Sequence, residues 1–151
     1  MNHKYVDHDR KEKGDLGATY RGESLRIEVK SLQTKTVKEV DGVYSARFQC
    51  DASDRRTITF KNGKSIETTC LLVGEFDLLG VNLFAFKKEW LFAFARNKDL
   101  PRSKFRGYPP EVRDELLASL MPITWPLQPP YEAEPFRLLD EICRERASQK
   151  R

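Results

Sequence analysis

The chain has 151 residues, 39% hydrophobic and 33% charged, and its 27 lysines and arginines outnumber 23 acids for a formal net charge of +4. That length fits one globular domain able to bury about two thirds of its unfolded surface, and the modest positive charge is compatible with a polyanionic partner without requiring one. Cys50, Cys70 and Cys143 are odd in number, widely spaced and free of any CxxC pattern, which excludes a zinc site or a disulfide framework and points to reduced thiols. The opening "MNHKYVDHDRKEKGD" is too polar for a signal peptide, and no apolar run approaches the ~18 residues that span a bilayer, so a cytoplasmic chain is expected.

In chain order, residues 1–14 read as a polar lead-in and residues 15–151 as a single domain. Short β-prone runs at Leu16–Tyr20 and Leu25–Leu32 flank "RGES", a hairpin turn whose glycine can take a positive φ. "KTVKEVDG" reads as a loop or turn ending in Asp41-Gly42. "VYSARFQC" alternates as a strand with Tyr44, Ala46, Phe48 and Cys50 on one face. "RTITF" and "SIETTCLL" flank "KNGK", where Asn62-Gly63 predicts a type I′ hairpin; a short helix ended by Gly74 is the alternative for the second run. "FDLLGVNLFAF" and "WLFAFA" are near-continuous apolar runs, as expected of central strands covered on both faces. A helix is predicted over "PEVRDELLASL" with Pro110 in its first turn, then an extended "MPITWPLQPPY", whose prolines exclude a helix interior. A last amphipathic helix is predicted from about Glu132 to Arg146, with Phe136, Leu139, Ile142 and Cys143 as its apolar stripe.

The chemistry-bearing constellation is in the first hairpin. Glu28 and Lys30 are two apart on a strand and share a face, while Ile27 and Val29 point the other way into a core. A turn at Arg21–Ser24 brings Asp15 back beside them. Two carboxylates and an ammonium suit a hard divalent cation such as Mg2+ or Mn2+, with a water oriented by Lys30 attacking a phosphodiester phosphorus. The alternative is an ordinary hairpin with a cross-strand ion pair.

The pattern G-D-(x)12-E-x-K, with its glutamate inside "RIEVK", resembles the active site of the PD-(D/E)xK nuclease superfamily, and "GEFDLLGVNLFAFKKEWLFAFARNKDLP" resembles a stretch found downstream in several of its bacterial members. The resemblance covers roughly Gly14 to Pro101. It implies an α/β (α+β) restriction-endonuclease-like fold, a mixed central sheet flanked by helices, and Mg2+-dependent (or Mn2+-dependent) cleavage of DNA. Asp15 and Glu28 correspond to the metal-binding acids, Val29 to the residue whose carbonyl completes the metal shell, and Lys30 to the catalytic lysine. Gly14 stands where the family usually has proline, and the polar lead-in implies that the family's N-terminal helix is short or missing, with Glu12 a candidate extra acid. An uncovered sheet face would then favour a homodimer or a partner subunit.

Further candidates come from the residues themselves. The amide of Gln33, just after the motif, can donate to phosphate. Arg55, Arg56, Lys61 and Lys64 lie near the second hairpin, which is either a ribbon for a DNA groove or a solvated surface. Arg96, Lys98, Arg102, Lys104 and Arg106 form the most basic stretch and are read as phosphate contacts. Asp77, inside an apolar run, is expected at an edge or paired to a base, His3 and His8 in a solvated tail, and Trp90 and Trp125 in the core. The competing function is a nuclease-fold DNA-binding or assembly module of a defence or repair complex that lacks a complete catalytic centre.

Overall fold

The structure is a computed structural model that describes residues 14–150. His3, His8 and Glu12 lie outside the described residues. The fold is mixed α+β, with strands dominating: β1 (Leu16–Tyr20), β2 (Glu23–Ser31), β3 (Lys38–Val40), β4 (Val43–Gln49), β5 (Asp51–Thr59), β6 (Ser65–Cys70), β7 (Leu78–Asn82), α1 (Phe84–Lys87), β8 (Phe92–Arg96), α2 (Pro110–Arg113), β9 (Leu120–Trp125) and α3 (Phe136–Gln149).

Three sheets result among the described residues. The main one has the order β1-β2-β7-β8, antiparallel except where β2 runs parallel to β7. Hydrophobic alternation decides what covers it. Leu25 and Leu78 meet Leu138, Leu139 and Ile142 of α3 on one face. On the other, Leu79, Val81, Ala93 and Ala95 join Ala46, Phe48, Met121 and Ile123, which face inward from the sheet β3-β4-β9. Phe48 is fully buried, and a side chain of that size removed from water contributes roughly 2–3 kcal/mol. The ribbon β5-β6 stands apart and buries Phe60 and Cys70 against Val112 and Leu116.

Several sequence expectations hold. The first hairpin turns at Arg21-Gly22, with φ of 49° and 80°, as a two-residue turn of the I′ kind. β4 presents Tyr44, Ala46, Phe48 and Cys50 to one core. "SIETTC" is a strand, and Pro122 is tolerated in β9 because that strand is an edge paired only to β4. Asp77 is paired, its Oδ1 2.7 Å from Arg146 Nη2 and its Oδ2 accepting the Arg26 backbone N–H at 2.8 Å.

Others are corrected. "KEV" is a short strand, because Asp41-Gly42 makes a second two-residue turn and pairs Val40 with Val43. Asn62-Gly63 is not a type I′ turn: the Phe60 N–H donates to the Lys64 carbonyl, and only Gly63 has positive φ, as in a three-residue loop with a bulge. The apolar run after β7 breaks where Asn82 Oδ1 accepts the Phe84 N–H, and Phe84–Lys87 turn into α1. β8 is an edge strand, not a central one, and Trp90 is 73% exposed, its ring tilted against Phe84. The helix predicted over "PEVRDELLASL" stops at Arg113, since Leu116 packs into the ribbon's core and Leu117 into the main one. Neighbours can point in opposite directions on an extended chain and not on a helix. α3 begins at Phe136, not Glu132, because Glu132 forms a bridge with Phe94; Phe136 is exposed and Leu138 is buried in its stead. Val29 faces solvent, not a core, because no element described covers that end of the sheet. Among the described residues no helix is long and apolar enough to cross a membrane.

Candidate active site

The register of the first hairpin builds the site. Leu16 pairs with Ile27 at the end of the ladder, and Asp15, one residue before β1, bonds back to Ile27 and Val29, which flank Glu28. Because α3 claims Leu25 and Ile27, strand alternation places Arg26, Glu28 and Lys30 on the opposite face, toward Cys50 and Asp51 where β4 passes into β5. Asp15 is held by its own N–H, which donates to the Ile27 carbonyl at 2.9 Å, and by its Oδ2, which accepts the Val29 N–H at 2.8 Å. The N–H and C=O of a strand residue point to one side, so the Val29 carbonyl shares the edge that meets Asp15.

Glu28 is 8% exposed. Its Oε2 lies 3.5 Å from Lys30 Nζ, which also donates to the Asp51 carbonyl at 3.1 Å. Burial pushes the Glu28 carboxyl up from its ordinary 4.5 to about 7; Lys30 opposes the rise, and the charges of Asp15 and Glu75 add to it. Glu28 therefore exchanges a proton with solvent near neutral pH. Burial likewise pushes the neighbouring Cys50 thiol up to about 12, which leaves it protonated and a poor nucleophile. The four groups that sequence reading did not assign are Arg26, Asp51, Cys50 and Glu75. Asp51 was legible only as the residue after the last inward-facing position of β4, and Glu75 only as an acid beside the Gly74 turn.

Of the expected phosphate contacts, three arginines spend their guanidinium groups inside the fold. Arg56 forms a bidentate pair with Glu75 and donates to the Cys70 carbonyl. Arg96 is 7% exposed and pairs with Glu141 and Glu145, while Arg102 donates to the carbonyls of Asp114, Leu100 and Lys98. Lys98 pairs with Glu145 and Lys64 with Glu111. Arg55, Lys61, Lys104 and Arg106 are exposed. Gln33 is half-buried and precedes a 3-10 turn at Thr34–Thr36. Trp125, expected in the core, packs there partly buried. Among the described residues no group of three or more His, Cys, Asp and Glu side chains is gathered to hold a metal ion. Comparison with models of known protein families, with curated proteins and with solved structures finds no match to this chain.

Proposed function

We propose that the chain is a Mg2+-dependent endonuclease acting on DNA through a PD-(D/E)xK-type hairpin. The observation that carries this reading is the hairpin end that bonds Asp15 to Ile27 and Val29, on either side of Glu28, with Lys30 Nζ 3.5 Å from the Glu28 carboxylate. The donor set fits a hard cation: two carboxylates and the Val29 carbonyl offer oxygen only, and Mg2+ commonly takes one or two carboxylates and keeps its waters. Mn2+ would be held by the same oxygens. A four-stranded mixed sheet with α3 on one face is compatible with a restriction-endonuclease-like core.

When bound, the cation would neutralise charge on the scissile phosphate and make a water more acidic. The chain's own groups then divide the work. Glu28 sheds its proton to become a ligand, Asp15 keeps one oxygen on the Val29 N–H and offers the other, and Lys30 orients the attacking water. Of the cations expected on phosphate, the exposed Arg55, Lys61, Lys104 and Arg106 meet the phosphate backbone, with Gln33 as a further donor. Cutting both strands calls for two such sites, hence a homodimer or a partner subunit.

The test is cleavage of supercoiled plasmid in Mg2+ and Mn2+. Asp15→Asn and Lys30→Ala are expected to lower the rate about 10^2–10^4-fold; Asp15 is exposed, so its variant should melt near the wild type, whereas Lys30→Ala also removes the partner of the buried Glu28 carboxylate and should melt lower. Full activity of Lys30→Ala, or cleavage that persists in EDTA, would overturn the reading. A second reading, a binding module without cleavage, is favoured by the absence of a three-acid group among the described residues. Salt-sensitive DNA binding with no product in either metal would establish it.

A further inference from the structure

The hairpin carries a cation for which the proposed reaction has no use. Arg26 shares the face of Glu28 and Lys30 and pairs across the ladder with Gly17. Its guanidinium lies over that glycine so closely that an added Cβ would stand 2.8 Å from Nη1. Beyond it, Nη2 donates to the Gly14 carbonyl at 3.1 Å. Gly14 has φ of 80°, and a Cβ there would stand 3.2 Å from Arg26 Cβ and 3.3 Å from the Ile27 carbonyl. Gly17 and Gly14 are thus small for the same reason: one leaves the arginine a path, the other a place to arrive.

The consequence falls on Asp15. It lies outside β1 proper, next to a residue that is conformationally the freest of all, so its carboxylate is only as well placed as the anchors around it. Two of those anchors are its own bonds to Ile27 and Val29. The third is Arg26, which donates to the Gly14 carbonyl, in the peptide that leads into Asp15.

We propose that Arg26 is a positioning residue, which crosses the side-chain-free Gly17 to the Gly14 carbonyl and thereby holds the Asp15 carboxylate on the Val29 N–H, beside Glu28, in the arrangement a divalent cation needs. The inference rests on the metal-site reading above and deepens it. The arginine does not touch the cation or the phosphate. It acts through the backbone that carries the first ligand.

A double-mutant cycle tests this with two readouts: Mn2+ affinity by calorimetry and exchange of the Val29 amide by NMR, with melting temperature followed alongside. Arg26→Ala and Gly17→Ala are each expected to weaken Mn2+ binding about tenfold or more, the range typical of groups that orient metal ligands, and to speed Val29 amide exchange while the Leu79 amide stays protected. Gly17→Ala keeps every charge of the site and adds strand propensity, so its melting temperature does not fall. The double variant is no worse than either single one, because both remove the same contact. Arg26→Lys, which keeps a donor for the Gly14 carbonyl, restores part of the affinity. Wild-type exchange and affinity in Arg26→Ala, or fully additive effects in the double variant, would overturn the proposal. A wild-type chain that binds no Mn2+ sinks the metal-site reading instead, and the Val29 exchange rates then decide the role of Arg26 alone.

Discussion

Glu28→Gln is expected to stabilise the folded chain at pH 8 by up to about 3 kcal/mol while it abolishes metal-dependent cleavage. The stability effect follows from linkage. The carboxyl has a value of about 7 in the folded chain against an ordinary 4.5. Between those values the folded state holds a proton that the unfolded state has released, so stability falls as the pH rises from 4.5 and the loss is complete above 7. An amide of the same shape carries no such penalty. Urea unfolding at pH 5 and pH 8 checks the sign: the wild type should lose stability between the two relative to Glu28→Gln, and parallel behaviour would show that Glu28 is not a buried acid. The functional cost has the same origin. A ligand that titrates near 7 must lose its proton when a cation binds, so Mn2+ affinity should rise as the pH passes through 7 and release a proton on binding. Saturating Mn2+ should then return stability to the wild type at pH 8 and leave Glu28→Gln unaffected.

Arg56→Ala is the most destabilising single change expected away from the site, at about 3–5 kcal/mol. Glu75 has 8% of its side chain exposed and takes both Arg56 Nη1, at 3.0 Å, and Nη2, while it accepts the Leu72 N–H at 3.0 Å. Removing the guanidinium leaves that buried charge uncompensated and the Cys70 carbonyl without its donor. In a chain of this size the loss corresponds to a melting temperature lower by about 10 °C. Replacing both partners, Arg56→Met with Glu75→Leu, should recover much of it, since two matched apolar groups carry no buried charge. Because the Glu75 charge already raises the Glu28 carboxyl, Arg56→Ala should move the Glu28 titration further upward. An unchanged Glu28 titration in a folded Arg56→Ala chain would show that the ribbon and the site are electrostatically independent.

How far the sequence could be read depended on the range of the forces involved. The first hairpin, the alternation of β4 and the extended proline segment as far as Trp125 were legible because turn chemistry, strand period and the missing proline N–H act over a few residues; beyond Trp125 that segment bends and turns at Pro129-Pro130. The return of Asp15 to the strand that carries Glu28 and Lys30 was legible for the same reason: a hairpin of known turn has one register, and its end at Leu16–Ile27 leaves Asp15 bonded to Ile27 and Val29. The early end of α2 was not, because Leu116 and Leu117, just beyond it, serve two different cores, which local propensity does not register. Nor was the fate of the arginines. Arg55 and Arg56 are indistinguishable in sequence, yet strand alternation leaves one in solvent and turns the other onto Glu75.

By itself, then, the sequence determined a few local pieces: the turn at Arg21-Gly22, the inward face of β4 and the return of Asp15 to the strand that carries Glu28. Only the tertiary structure decided the charge states and the allegiance of the long side chains. Burying Glu28 between two sheets is what lifts its carboxyl toward neutrality, and desolvation is a property of the assembled core. Distant acids on α3 and beside β7 neutralise Arg96 and Arg56, which composition counted as free positive charge. Arg26, an unremarked cation in "RIEVK", becomes a strut because a glycine across the ladder leaves it room to pass.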